Sequence, residues 1–129
     1  MTKALELLLA ELREHPRDAR LLSKIAELQL RSGDRHDGIM TLLQLAAVYH
    51  GDGFGLKAAA VLKQVTKLSP GNMEGLRILA TQYESLGLTA DAIAAFREML
   101  RVARLQRDLT NATRALRNLQ RLGCADEVN

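Results

Sequence analysis

The side chains with most chemical potential in this sequence are its arginines, its three histidines and a knot of glycines. Between residues 97 and 122, the seven arginines Arg97, Arg101, Arg104, Arg107, Arg114, Arg117 and Arg121 meet only Glu98 and Asp108, whereas residues 1–96 balance 11 basic against 11 acidic side chains. The formal net charge of +3 therefore belongs to the C-terminal end. A guanidinium group presents a planar fork of donors that suits carboxylate or phosphate. Steps of seven, three and four place Arg107, Arg114, Arg117 and Arg121 on one face of a last helix, with Arg97, Arg101 and Arg104 on the helix before it. That face reads first as the solvated side of a capping helix, second as a dock for an acidic protein surface, and third as a nucleic-acid contact. Nucleic acid ranks last because no aromatic residues are interleaved for base stacking.

The remaining reactive types do not converge. His15, His36 and His50 stand singly, without the clustered ligands a metal needs. Asp34, Asp37 and Asp52 suit caps and turns rather than an acid and base pair. The run Gly51-Asp52-Gly53-Phe54-Gly55 follows a helical pattern instead of a strand, so it reads as a helix–helix turn and not as a phosphate loop. No nucleophile elbow or zinc-helix motif is present. We assign no catalytic, cofactor or metal residue and expect no enzyme activity. The single Cys124 has no partner within the chain and fits a reducing compartment. No run approaches the roughly 18–20 apolar residues of a membrane span, and residues 1–13 alternate charges with leucines, unlike a signal peptide. The expected setting is a bacterial cytoplasm, with no membrane contact.

These surfaces must be carried by helices. The chain has 129 residues, 47% hydrophobic and 3% aromatic, with no Trp, so its core is Leu, Ala, Ile and Val in close helix packing. Apolar residues recur at helical spacing throughout, as in Leu5, Leu8, Leu9 and Leu12, and sustained alternation is absent. Pro16 and Pro70 end helical stretches. The pattern predicts about seven antiparallel helices, the last carrying Leu105, Leu109, Ala112, Leu116 and Leu119. A helical domain over 1–122 and a polar tail over 123–129 follow.

Two internal spacings are visible. A shift of 34 aligns Leu42 with Leu76, Ala46 with Ala80, Tyr49 with Tyr83 and Gly53 with Gly87; a shift of 54 aligns Pro16 with Pro70, Leu22 with Leu76, Ala26 with Ala80 and Gly33 with Gly87. Both hold if the helix at about 36–50 serves as the second helix of one hairpin and the first of the next. The stretch Leu76 to Gly87, followed by Ala92, Ile93 and Phe96, resembles the tetratricopeptide repeat. The resemblance covers most of residues 3–122, with Leu22 or Leu76 where that family often has Trp and Arg104 at the place of a closing proline.

The resemblance implies an all-α solenoid, a tetratricopeptide-like superhelix, that acts as a protein–protein interaction adaptor through a concave groove lined by the first helix of each pair. The matching outward positions are Arg20, Ser23, Lys24, Glu27 and Arg31 on one helix, with Arg77, Thr81 and Glu84 on another. They do not reproduce the lysine and asparagine clamp of chaperone-binding relatives. The partner is another protein or peptide; the alternatives are a homodimer built on the last helix and a nucleic-acid-associated regulator using the arginine face. Small Ala26, Ala80 and Ala92 are expected at helix contacts, and Gly87→Val is expected to unfold the chain or nearly so.

Overall fold

Short, strongly capped helices joined by tight turns are what this pattern builds. A computed structural model describes residues 2–124, and these form seven helices with no β-strand among the described residues. They are α1 (Lys3–Glu14), α2 (Ala19–Arg31), α3 (Arg35–Gly51), α4 (Gly55–Leu68), α5 (Met73–Ser85), α6 (Thr89–Leu105) and α7 (Leu109–Arg121). The chain divides into two compact units, Met1–Leu68 with α1 to α4 and Ser69–Asn129 with α5 to α7. Residues Leu122–Cys124 close α7 with a turn; the rest of the expected polar tail, 125–129, lies outside the described residues.

The spacing of 54 is the structural period. It separates α2 from α5 and α3 from α6 at both of their ends, and the first residue of α4 from that of α7. The expected double role of the third helix has a physical basis. The buried residues of α3, from Gly38 to Val48, spread over about half its circumference, and it packs against both α2 and α4. In the first unit Leu22 and Ala26 of α2, Ile39, Leu42 and Leu45 of α3 and Val65 of α4 share one core. In the second, Leu76 and Ala80 of α5, Ala92, Phe96 and Met99 of α6 and Ala115 and Leu119 of α7 do the same. Ala26, Ala80 and Ala92 are all buried, as their size suggests. A fourth small contact was not foreseen: a Cβ on Gly38, which stands 54 residues before Ala92, would lie 2.6 Å from Leu30 Cδ2.

One turn recurs five times. After α2, α3, α5, α6 and α7 a residue with positive φ follows: Gly33, Gly53, Gly87, Arg107 (φ 56°) and Gly123. The next N–H then reaches back five residues, as in Asp34 to the Gln29 carbonyl at 2.9 Å and Asp108 to the Ala103 carbonyl at 2.8 Å. This closes otherwise orphaned carbonyls, and glycine takes the left-handed conformation at least cost. Asp34 and Asp108 then accept from Asp37 N–H and Asn111 N–H and so start the following helices. The other two, α1 and α4, depart, ending before Pro16 and Pro70. Each unit also carries a clasp at matching places. Arg17 Nη2 donates to Asp52 Oδ1 at 2.9 Å in the first, and Gln106 Nε2 donates to the Gly71 carbonyl at 2.9 Å in the second.

The last two helices differ from expectation. Leu105 ends α6 instead of joining α7, and Arg107 occupies the turn between them. Neither Leu105 nor Leu109 contributes to the core seam they were assigned to, being 72% and 80% exposed.

Arg107→Gly is expected to raise stability by about 1 kcal/mol by relieving a left-handed non-glycine residue. Gly87→Val is expected to cost about 2 kcal/mol, because open space surrounds its Cβ and only backbone strain opposes it; this is a milder outcome than unfolding. Urea denaturation of the two variants checks the pair, and shifts of the same sign would contradict the turn geometry. Gly38→Ala is expected to destabilise by about 1–3 kcal/mol through overpacking, and Ala80→Glu to unfold the chain by burying an unpaired charge. Circular dichroism melts decide both, and a folded Ala80→Glu variant would mean that the helix contact opens at little cost.

Candidate partner-binding surfaces

With Leu22, Ile25, Ala26 and Gln29 turned inward, α2 leaves Arg20, Ser23, Lys24, Glu27 and Arg31 exposed. Gln29 is itself satisfied, accepting from the Thr41 hydroxyl of α3 at 2.6 Å. Glu27 lies between two cations, 2.8 Å from Arg31 Nη2 and 3.8 Å from Lys24 Nζ. These exposed pairs tie up charge but add little stability.

The five α2 residues do not share one groove. Ser23 and Glu27 line an open hollow of about 380 Å³, floored by Leu30 of α2, Leu42 of α3 and Val61 of α4, with Tyr49 and Gln64 in its wall. Arg20 and Lys24 instead line a polar hollow of about 600 Å³ beside α1, together with Glu11, His15 and Asp18. The first has an aliphatic floor and a polar rim, which is the chemistry of a peptide side-chain pocket. Near it Tyr49 meets Phe54 edge-on at 6.4 Å, and Lys57 Nζ stands 4.9 Å from the Phe54 ring centre and 5.7 Å from that of Tyr49. Such cation–π contacts contribute about 0.5–1 kcal/mol at exposed sites.

Tyr49, Lys57 and Gln64 were missed as surface residues. The signal lay in the pairing of two scarce aromatics, Tyr49 and Phe54, across a glycine turn, since Tyr49 alone fits a core stripe. The histidines His15, His36 and His50 are all exposed, and Asp52-Gly53-Phe54 is the helix–helix turn expected of the glycine cluster.

In the second unit, Arg77 pairs with Glu74 at 2.7 Å, and the exposed Thr81 donates its hydroxyl to the Arg77 carbonyl at 2.9 Å. Glu84 was expected in a groove and Arg121 on an arginine face, yet the two meet. Arg121 Nη2 donates to Glu84 Oε1 at 2.8 Å and to Asn118 Oδ1 at 2.7 Å, and Nη1 donates to Glu84 Oε2. The fork-to-fork geometry holds the Glu84 carboxyl below its usual range, chiefly through these hydrogen bonds. Arg101 lowers Glu98 in the same way, donating from Nε at 3.0 Å. The four-arginine face is therefore corrected: Arg107 is in a turn, Arg121 is bound to α5, and Arg114 and Arg117 stay exposed on α7. Sequence spacing alone could not show a turn at a residue that is not glycine.

No helix among the described residues is long and apolar enough to cross a membrane. The chain matches no protein-family model and no curated protein sequence. Among solved structures it is similar to a crystal structure of MamA protein, with a TM-score of 0.53 and 17% identity over 96% of this chain and 74% of that one. A second crystal structure of MamA gives a TM-score of 0.45 and 14% identity, covering 98% of this chain and 90% of that one. The first likeness shows the fold, an all-α, tetratricopeptide-like α-solenoid.

Glu84, Glu98 and Asp108 all have carboxyl pKa values lowered on folding, the last chiefly by its hydrogen bonds with Asn111. A lowered folded-state value gives stability that is complete above the unfolded value, about 4.5 for a glutamate, and is lost as pH falls through the folded one. The melting temperature is thus expected to drop on acidification from pH about 6 to about 3, and to drop less in Glu84→Gln. An identical drop in that variant would dissociate the Arg121 bridge from acid sensitivity.

Proposed function

We propose that this chain is a non-catalytic adaptor that holds a peptide or helix of a partner protein in the hollow between α2 and α4. The observation that carries the proposal is the hollow itself: an aliphatic floor of Leu30, Leu42 and Val61 inside a rim of Ser23, Glu27 and Gln64. An apolar side chain of the partner would be buried on that floor while its backbone meets the polar rim. Rigid hairpins suit this role because their pocket walls are fixed by core packing and need little ordering on binding. The second unit carries Arg77 and Thr81 at the places of Ser23 and Glu27 one period on, which makes them candidates for a contact of that unit's own. A reducing cytoplasm belongs to the same proposal, supported by the lone Cys124.

The test is capture of partners from the source cell by wild type and by Ser23→Arg/Gln64→Arg, which fills the mouth of the hollow from two exposed positions. The variant is expected to melt like wild type and to lose its partner by at least about tenfold in affinity, or about 1.4 kcal/mol. Undiminished capture by the variant, with loss in Arg20→Glu/Lys24→Glu, would move the site to the polar hollow beside α1.

A further inference from the structure

We infer that the corner between α6 and α7 is a second docking surface, one that takes the apolar face of an acidic amphipathic helix from a partner protein. It is independent of the hollow between α2 and α4.

Leu109 and Leu105 are the two most exposed large apolar side chains among the described residues, at 80% and 72%. They flank a single turn. From Leu109 the apolar line continues along α7 through Ala112 and the half-buried Leu116, a strip of about 10 Å at helical rise. Beside it a shallow hollow of about 270 Å³ is lined by Ala103, Arg104, Arg107, Asp108, Leu109 and Ala112. Apolar surface gathered in this way, and not scattered singly, marks a contact.

The form of α7 says that the contact is helical. Like α2 and α5 it has 13 residues, its N-cap side chain accepts from a backbone N–H three residues on, and it ends in a glycine turn of the recurring kind. Counted from the cap, Leu116 stands where α2 has Ala26 and α5 has Ala80, which are 1% and 0% exposed in the cores shared with α3 and α6. The corresponding flank of α7 is thus of the kind that receives an antiparallel helix, and among the described residues it is only partly covered.

Charge selects the partner. Arg104 and Arg107 rim the hollow, and neither forms an ion pair among the described residues, whereas Arg101 is occupied by Glu98 and Arg121 by Glu84. Asp108, the one acid in the lining, is engaged by Asn111 N–H at 3.1 Å and by the Asn111 amide at 2.7 Å. A second copy docked on this corner by two-fold symmetry would set the same arginines against one another. A nucleic acid would find an aliphatic centre with no ring to stack on. Carboxylates flanking a leucine stripe satisfy both the apolar strip and its rim.

The test uses the full chain and three synthetic helical peptides of equal length: a leucine stripe flanked by glutamates, the same stripe flanked by lysines, and the glutamate peptide with serine in place of leucine. Only the first is expected to bind. Its affinity should fall at least about tenfold in Leu105→Ser/Leu109→Ser and in Arg104→Gln/Arg107→Gly, and should weaken as salt rises. Glycine suits the backbone at 107, so a melting temperature at or above that of wild type separates lost charge from lost fold. Binding should persist in Ser23→Arg/Gln64→Arg. Loss in that variant instead would place the peptide between α2 and α4, overturning this inference while supporting the proposed function. Equal binding of the lysine peptide, self-association that Leu105→Ser/Leu109→Ser abolishes, or duplex binding that depends on Arg104 and Arg107 would each overturn it as well.

Discussion

Helices can lie close only where a side chain is nearly absent at the crossing, and this molecule depends on that constraint. Ala26 and Gly38 meet it between α2 and α3, and Ala80 and Ala92 between α5 and α6. Because one side of each such contact is a methyl group or bare backbone, as at Gly38 against Leu30, larger residues are free to fill the flanks, and Leu42 and Phe96 occupy equivalent places one period apart. A hairpin so built buries one face and leaves the other for neighbours or partners. The hollow between α2 and α4 and the corner at α7 are two such faces, finished differently: one with a polar rim, the other with arginines.

The turns impose the second condition. A helix that ends on a left-handed residue redirects the chain within three residues, which keeps consecutive helices antiparallel and fixes their lengths. Four of the five copies use glycine; the fifth uses Arg107 and bears strain of about 1 kcal/mol or more. That residue also rims the apolar corner, so the position at which the turn departs from its best residue is one with a charge to offer.

How much was legible in the sequence follows from these two conditions. Small residues and glycines recur at fixed spacings, so Ala26 with Ala80 and Gly33 with Gly87 exposed the shift of 54 beside that of 34, and apolar residues at helical spacing between prolines and glycines marked about seven helices. What escaped was whatever depends on which side chains meet. Arginine is a good helix former, so Arg107 and Leu105 were drawn into the last helix when no glycine announced its start. Glu84 and Arg121 lie far apart in the chain and were assigned to different surfaces, although one ion pair joins them. Position on a face was readable for Arg20, Ser23, Lys24 and Glu27, but which neighbour each would face required knowing that α1 packs on α2 and that a hollow opens between α2 and α4.

The paired clasps carry a consequence of their own. At equivalent places the first unit is fastened by an ionic Arg17–Asp52 contact and the second by a neutral amide-to-carbonyl bond from Gln106 to Gly71. Counterions weaken the former and hardly touch the latter. The two clasps are therefore set to part in different media, the leading one in brine and the trailing one with little regard to salt.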